Sequence, residues 1–329
     1  MNWDGALAGP FNYAVFGFAG TLASPGLSIL LFHRVHAQAD TLFPDEPDAQ
    51  RFDQLMRMVA RSFRVMPLTA AAARLEQHTL PPRSLAITFD DGYADNAEVA
   101  LPILKRHGLS ATFFVATGFL DGGRMWNDSI IECIRLCAQT EIDLSEFGLG
   151  VRAIGTSTER RSCIDELLRQ TKYLDQRARE QAVQRLLATV GVGSLPSVLM
   201  MRSAQVQALH RAGMEIGAHT VSHPILTSLD AEAARRELTD GRRQLQEIID
   251  APVDVVAYPN GKPKRDYDRS HVEMVKRLGF RAAVSTAVGA ARAGDDLFQL
   301  PRFTPWDRSL LAWSVRLFLN QRASTFDTA

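Results

Sequence analysis

Few things in this 329-residue chain are extreme, and what is scarce excludes much. Cysteine is scarce: Cys133, Cys137 and Cys163 are the only three. An odd, small number excludes a disulfide framework, and a chain this long buries a large core without one. Cys133 and Cys137 stand four apart in a helix-like stretch, with no histidine or cysteine nearby at zinc-site spacing, so they read as core residues. Net charge is absent, because 37 basic residues balance 37 acidic ones. That balance lacks the basic footprint of a nucleic-acid binder, and no nucleic-acid partner is expected. There is no repeat of fixed period and no low-complexity linker, so residues 1–329 read as one domain. Gly5 to Phe32 holds no charged residue, but Pro10, Pro25 and five glycines make it a poor continuous membrane helix. The start, Met1-Asn2-Trp3-Asp4, carries an acid where a secretion signal carries basic residues. Residues 1–27 are therefore expected to form an N-terminal segment packed on the domain, around Asn12–Leu22, in a cytoplasmic protein. Peripheral membrane contact through that segment is the alternative.

Against this background, short apolar runs bounded by turn residues recur. They are Ser28–Phe32, Arg64–Met66, Leu85–Phe89, Ala111–Ala116, Met214–Ala218, Val253–Ala257 and Phe280–Val284, with a weaker one at Phe298–Phe303. Helical patterns lie between most of them: Phe52, Leu55, Met56 and Val59 share one face of Arg51–Ser62. Alternation of strand and helix implies an α/β fold with a parallel sheet, and the number of units points to a barrel. Asp121 to about Leu199 breaks the rhythm. It shows no convincing strand and several helical stretches, such as Ile164–Leu174 and Arg177–Val190, and reads as a helical insertion over 121–199.

Two motifs carry chemistry. Thr88-Phe89-Asp90-Asp91-Gly92 closes the strand Leu85–Phe89. Neighbouring strand residues point to opposite faces, so two adjacent carboxylates converge only where the strand ends, and Gly92 permits the turn. Paired acids at a buried strand end repel, and a cation removes the conflict. His219-Thr220-Val221-Ser222-His223-Pro224 follows the strand Met214–Ala218. Two histidines four apart share one side of a helical turn and reach one metal. Either motif alone also fits a solvated polar turn. Together, at the same end of their strands, they form a His₂-carboxylate set of Asp91, His219 and His223. Three protein ligands mark a catalytic rather than a structural site. Asp90 is left over as a base.

With these motifs, the sequence resembles the polysaccharide deacetylases with a NodB-homology domain, carbohydrate esterase family 4. The resemblance runs from Ile29 to Phe303 and leaves Asp121–Leu199 outside the common core. It implies a distorted (β/α) barrel of about seven parallel strands, with Asp90 as catalytic base and Asp91, His219 and His223 as ligands of one divalent metal, usually zinc. It also implies a hydrolase that removes N-acetyl groups from an N-acetylated sugar of a polysaccharide or glycan precursor, as in exopolysaccharide biosynthesis. A metal-dependent amidohydrolase on a non-sugar amide, and a catalytically weak carbohydrate-binding protein, are the rival readings.

The chain departs from the family pattern in two places. The family's R-x-P-Y motif is matched by Ala257-Tyr258-Pro259-Asn260, so its arginine is missing. The late L-x-x-x-H motif has no match: the last histidine is His271, at the start of a helix and expected on the surface. The branch is similar to deacetylases that begin with a "YHRV"-type strand, here Phe32-His33-Arg34-Val35. His33 ends the first strand and Arg302 ends the last, and a barrel brings those strands together. Arg302 is expected to replace the lost arginine beside Asp90, with a surface salt bridge as the alternative, and His33 to protonate the leaving amine, with a satisfied core histidine as the alternative. The backbone N–H of Tyr93 is expected to hold the oxyanion. Trp126-Asn127-Asp128, opening the insertion, reads either as a wall of the cleft or as a helix start capped by Asn127 or Asp128. His36, His78, His107 and His210 are expected to be exposed. Glu232, Arg235, Arg236, Glu237, Arg242 and Arg243 suit a solvated helix face.

Overall fold

The computed structural model describes residues 26–304, 309–322 and 326–329. The Asn12–Leu22 segment lies outside the described residues. Two strands are buried along their whole length, β1 (Leu27–Phe32) and β3 (Ser84–Phe89), and they pair in parallel from Leu27↔Ser84 to Phe32↔Phe89. Continuous apolar strands of this kind are covered on both faces. β2 (Arg64–Val65) adds to the start of β3. On the side of β3 away from β1, beyond β2, the parallel order continues through β4 (Thr112–Val115), β7 (Glu215–Ala218), β8 (Val255–Ala257) and β9 (Ala282–Val284). The registers Phe89↔Phe113, Val115↔Ala218, Ala218↔Val256 and Ala257↔Val284 keep the C-terminal ends of these strands at one face.

The sheet curls until its edges meet. Residues 300–303 bridge them: Leu300 N–H donates to Ala283 O at 2.9 Å, while Phe303 N–H donates to Ile29 O at 2.7 Å. The strand expected at Phe298–Phe303 is therefore only a pair of bridges, to β9 and to β1. Pro301 brings no N–H and cannot extend a ladder. The result is a distorted (β/α) barrel. Alternate side chains sort into two cores: Leu27, Ile29, Ala86, Phe114, Val255 and Ala282 pack in one, and Leu30, Phe32, Ile87, Phe113 and Val256 pack in the other with the surrounding helices. Those helices include α1 (Ala49–Ser62), α2 (Leu68–Glu76) and, after a π-helical turn at Asn96–Ala100, α3 (Leu101–Arg106).

The insertion is α4 (Trp126–Leu136), β5 (Glu141–Asp143), β6 (Val151–Ala153), α5 (Ser157–Thr171) and α6 (Gln176–Val190). It differs from expectation in its antiparallel β5–β6 pair. Three residues per strand are too few for a readable alternation, and left-handed Gly148 and Gly150 make the turn. The three cysteines are buried in the insertion's own apolar cluster and are free. α7 (Ser203–Arg211) returns the chain to β7, and α8 (Ala231–Ile249), α9 (Arg269–Arg277) and α10 (Leu310–Arg322) complete the helices. Among the described residues no helix is long and apolar enough to cross a membrane.

Candidate active site

At the end of β3 the chain turns within two residues. Asp90 N–H still donates to Phe32 O at 2.9 Å, as a strand residue does. Asp91 and Gly92 then adopt φ of 75° and 94°. Asp tolerates this left-handed region better than most residues, and Gly92 is needed twice over, since a Cβ there would lie 3.0 Å from Val115 Cγ1. The turn brings both carboxylates to the same face, where each is buried.

They meet different partners. Asp90 is gripped by Arg302, whose Nη1 and Nη2 donate to Oδ1 and Oδ2 at 2.7 Å each. Arg302 is itself 1% exposed and held by Ser285 O at 2.8 Å. Asp91 instead faces two imidazoles: its Oδ1 lies 3.5 Å from His219 Nε2 and 3.4 Å from His223 Nε2. These distances are longer than a well-formed hydrogen bond, so none of the three groups saturates another. His219 Nδ1 donates to Ala257 O at 2.8 Å, which leaves the Nε2 lone pair toward the aspartates.

The histidine segment is not the helical turn expected from its spacing. Residues 219–225 form a loop, with Thr220 at φ 65° and His223 at φ 53°. Thr220 Oγ1 takes the N–H of His223 at 3.1 Å, and Pro224 follows directly, so the spacing of four is used by a folded-back loop.

Charge follows from these contacts. Burial pushes the Asp91 carboxyl up, but His219, His223 and His33 outweigh it and hold Asp91 well below the ordinary carboxylate range. For Asp90 burial is likewise outweighed, chiefly by Arg302 and His219, and its net direction is down. Burial drives His223 down to about 3. His219 moves the other way: burial opposes its charge, yet Asp90, Asp91 and the Ala257 carbonyl raise it. An ionised Asp91 beside a neutral His223 is the state in which such groups take a cation. Asp91, His219 and His223 are also the one group of potential ligands, among the described residues, whose atoms lie within 4.8 Å of one another.

His33 continues β1 beyond the barrel rim. It is half-buried, its carbonyl accepts from Asn96 Nδ2 at 2.9 Å, and its imidazole bears electrostatically on Asp90, Asp91 and His223. Tyr93 is buried, and its backbone N–H has no hydrogen-bond partner among the described residues, because the flanking bonds are Ala94 N to Leu199 O and Met201 N to Gly92 O.

Several neighbours were not legible in the sequence. Tyr93 O–H donates to Asp128 Oδ1 at 3.0 Å, Arg34 lies over the Tyr93 ring, and Arg34 Nε donates to Asp95 at 2.8 Å. Asp128 is therefore a buried partner of the site and not a cap: Met125 is the residue at the cap position of α4. Burial pushes its carboxyl up to about 7. Glu237 is no solvated helix charge, since it binds the histidine loop, and Arg242 is spent on Val253 O and Leu278 O at 2.7 Å each. His271, expected on the surface, is buried against Asp268 in a capping arrangement. His36 and His107 are half-buried on Glu46 and Asp53, and His210 is half-buried, whereas His78 is exposed. One signal was available for Glu237: Gly241 lies one turn on, and a glycine inside a helix usually has a packing reason.

The family model for polysaccharide deacetylases matches residues 77–283. A curated relative from Bacillus subtilis, described as the putative polysaccharide deacetylase YxkH, is 19% identical over 278 residues, covering 84% of this chain and 70% of the relative. Among solved structures, the Streptococcus pyogenes deacetylase PplD in complex with acetate superposes with a TM-score of 0.57 at 20% identity, over 86% of this chain and 93% of that one. IcaB from Ammonifex degensii gives 0.54 at 18% identity, over 88% and 97%. At these identities the structural likeness speaks for the barrel, and the family match leaves His33 and Arg302 outside its bounds.

Proposed function

The chain belongs to the polysaccharide deacetylase family, and from that premise we propose that it is a metal-dependent hydrolase that removes N-acetyl groups from an N-acetylated sugar of a polysaccharide or glycan precursor. The observation that carries the reading is the different fate of two adjacent aspartates. Asp90 is ion-paired with a buried guanidinium, while Asp91 faces two imidazole nitrogens. Donor atoms about 2.0–2.2 Å from a tetrahedral ion lie about 3.3–3.6 Å apart, and the separations of 3.5 and 3.4 Å from Asp91 to the two imidazoles match two edges of such a tetrahedron, with all three ligand atoms within 4.8 Å of one another. Two imidazoles and a carboxylate are a donor set that zinc takes in hydrolytic sites.

The residues then divide the work. Asp91, His219 and His223 would hold a divalent ion, which would supply Lewis-acid polarisation of the acetamide carbonyl and a more acidic water. Asp90, kept ionised by Arg302, takes the proton of the water that attacks the carbonyl carbon. As the C–O bond forms, the oxygen that gains charge lies against the Tyr93 N–H. When the C–N bond breaks, the amine leaves with its electron pair and needs a proton, which His33 delivers. The products are acetate and a free amino sugar.

For the metal, purified protein is expected to hold about one zinc per chain. His219→Ala and His223→Ala are expected to lose both the metal and acetate release from N-acetylglucosamine oligomers. Elemental analysis showing full metal content in the double variant would sink the site. Turnover of small linear or cyclic amides but not of the oligomers would redirect the substrate to a non-sugar amide. Sugar binding without acetate release, at full metal occupancy, would reduce the protein to a binding module.

For His33, the leaving group provides the test. His33→Ala is expected to lower kcat on an acetamide sugar by about 10²–10⁴. The loss on an activated acetate ester should be much smaller, since its leaving group needs no proton. Equal losses on both substrates, or loss of metal, would remove His33 from the proton-donor role.

A further inference from the structure

The loop that carries both histidines runs between two glycines. On one side, a Cβ at Gly118 would lie 2.8 Å from Val221 O. On the other, a Cβ at Gly241 in α8 would lie 2.7 Å from the carbonyl carbon and oxygen of Thr220. One turn before Gly241, Glu237 reaches the same loop. Its Oε2 accepts from the N–H of Val221 and of Ser222 at 2.9 Å each, and its Oε1 accepts from Ser222 Oγ at 2.7 Å.

We propose that Glu237 and Gly241 are positioning residues for the metal ligands, with α8 as a jig that holds His219 and His223 opposite Asp91 before any ion arrives. The physical need lies in the backbone. Thr220 and His223 both sit in the left-handed region, which a β-branched residue such as Thr220 adopts only rarely, and such conformations persist only where surrounding contacts impose them. Their carbonyl side is strapped by Thr117 N to Thr220 O and Gly118 N to Val221 O, at 3.3 and 2.9 Å. The amide side has one acceptor, Glu237, for two adjacent N–H groups. Two N–H groups on one carboxylate oxygen fix the direction of two successive peptides, and with them the separation of the two flanking imidazoles. At Gly241 any side chain would push Thr220, which follows His219 directly, out of place.

The inference rests on the metal-site reading, and the experiment separates the two. The metal-stripped full-length chain is titrated with zinc against a competing chelator, and hydrogen exchange of the Val221 and Ser222 amides is followed without metal. Glu237→Ala is expected to weaken zinc binding by about 10–100-fold and to speed exchange at both amides. Glu237→Gln, which keeps one acceptor oxygen for both N–H groups, is expected to restore most of the affinity. Gly241→Ala is expected to weaken binding too, although alanine is the better helix former. Should Glu237→Ala fail to fold, Gly241→Ala carries the test. Wild-type zinc affinity and wild-type loop exchange in these variants would overturn the proposal. A wild-type chain that takes up no zinc would instead overturn the metal site, while exchange at the two amides still decides whether α8 holds the loop.

Discussion

Asp90→Asn is expected to keep the metal and lose turnover, with kcat falling by about 10²–10⁴. The substitution is nearly isosteric, so the position of the group is kept while its basicity is lost. Asp91, which faces both imidazoles, is untouched, and metal content should stay at the wild-type level. Asp91→Asn should do the reverse, weakening metal binding first. The stability of the Asp90 variant adds a second readout. Arg302 donates to both Asp90 oxygens from a site that is 1% exposed, and the amide nitrogen of asparagine meets one of those donors with another donor. A buried ion pair broken on one side typically costs about 3–5 kcal/mol. The double variant Asp90→Asn, Arg302→Met should therefore regain part of that stability and none of the activity. If Asp90→Asn empties the metal site while Asp91→Asn leaves it full, the two roles must be exchanged.

Arg302→Met is the second large effect, and its sign follows from the pair. In the wild type, burial raises the Asp90 carboxyl, and Arg302, with His219, more than offsets it, so the folded value lies below the unfolded one. A carboxyl depressed in this way contributes stability above its unfolded pKa, which is lost as pH falls through the folded value. Without Arg302 the largest opposing influence is gone, burial prevails, and the carboxyl moves up. Two results follow. The acidic limb of the pH–rate profile should shift to higher pH, because the base is protonated over a wider range. The stability deficit, about 3–5 kcal/mol while Asp90 is ionised, should shrink as pH falls through the raised value, because protonation relieves an unpaired buried charge. Chemical denaturation of metal-free protein across the acidic range measures the second. A pH–rate profile identical to wild type, at equal metal content, would show that Arg302 does not tune the base.

Features that are local in the chain are legible in its sequence, and most long-range contacts are not. Thr88-Phe89-Asp90-Asp91-Gly92 and His219-Thr220-Val221-Ser222-His223-Pro224 are readable because each is local: a strand ends, and the ligands follow within a few residues. The parallel strands are readable because burial on both faces forces near-continuous apolar runs, as in Leu27–Phe32 and Ser84–Phe89. The β5–β6 pair is too short to leave such a trace. The helical turn inferred from the spacing of His219 and His223 failed because a period of four is equally met by a loop with two left-handed residues.

What the sequence by itself determined is therefore the order of strands and helices, the barrel they imply, and the residue types able to hold a cation or take a proton. The sequence placed Arg302 beside Asp90 only through the closure that a barrel implies, and the tertiary structure decided the remaining partners, Glu237 and Asp128 among them. Arg302 reaches Asp90 across 212 positions because residues 300–303 close the sheet against β1, and Glu237 reaches Val221 and Ser222 because α8 packs against their loop. No local pattern encodes either contact. A guanidinium on a carboxylate, or a carboxylate on two amides, forms wherever the packed backbone brings the groups together, and hydrophobic burial spread over the whole chain sets that approach.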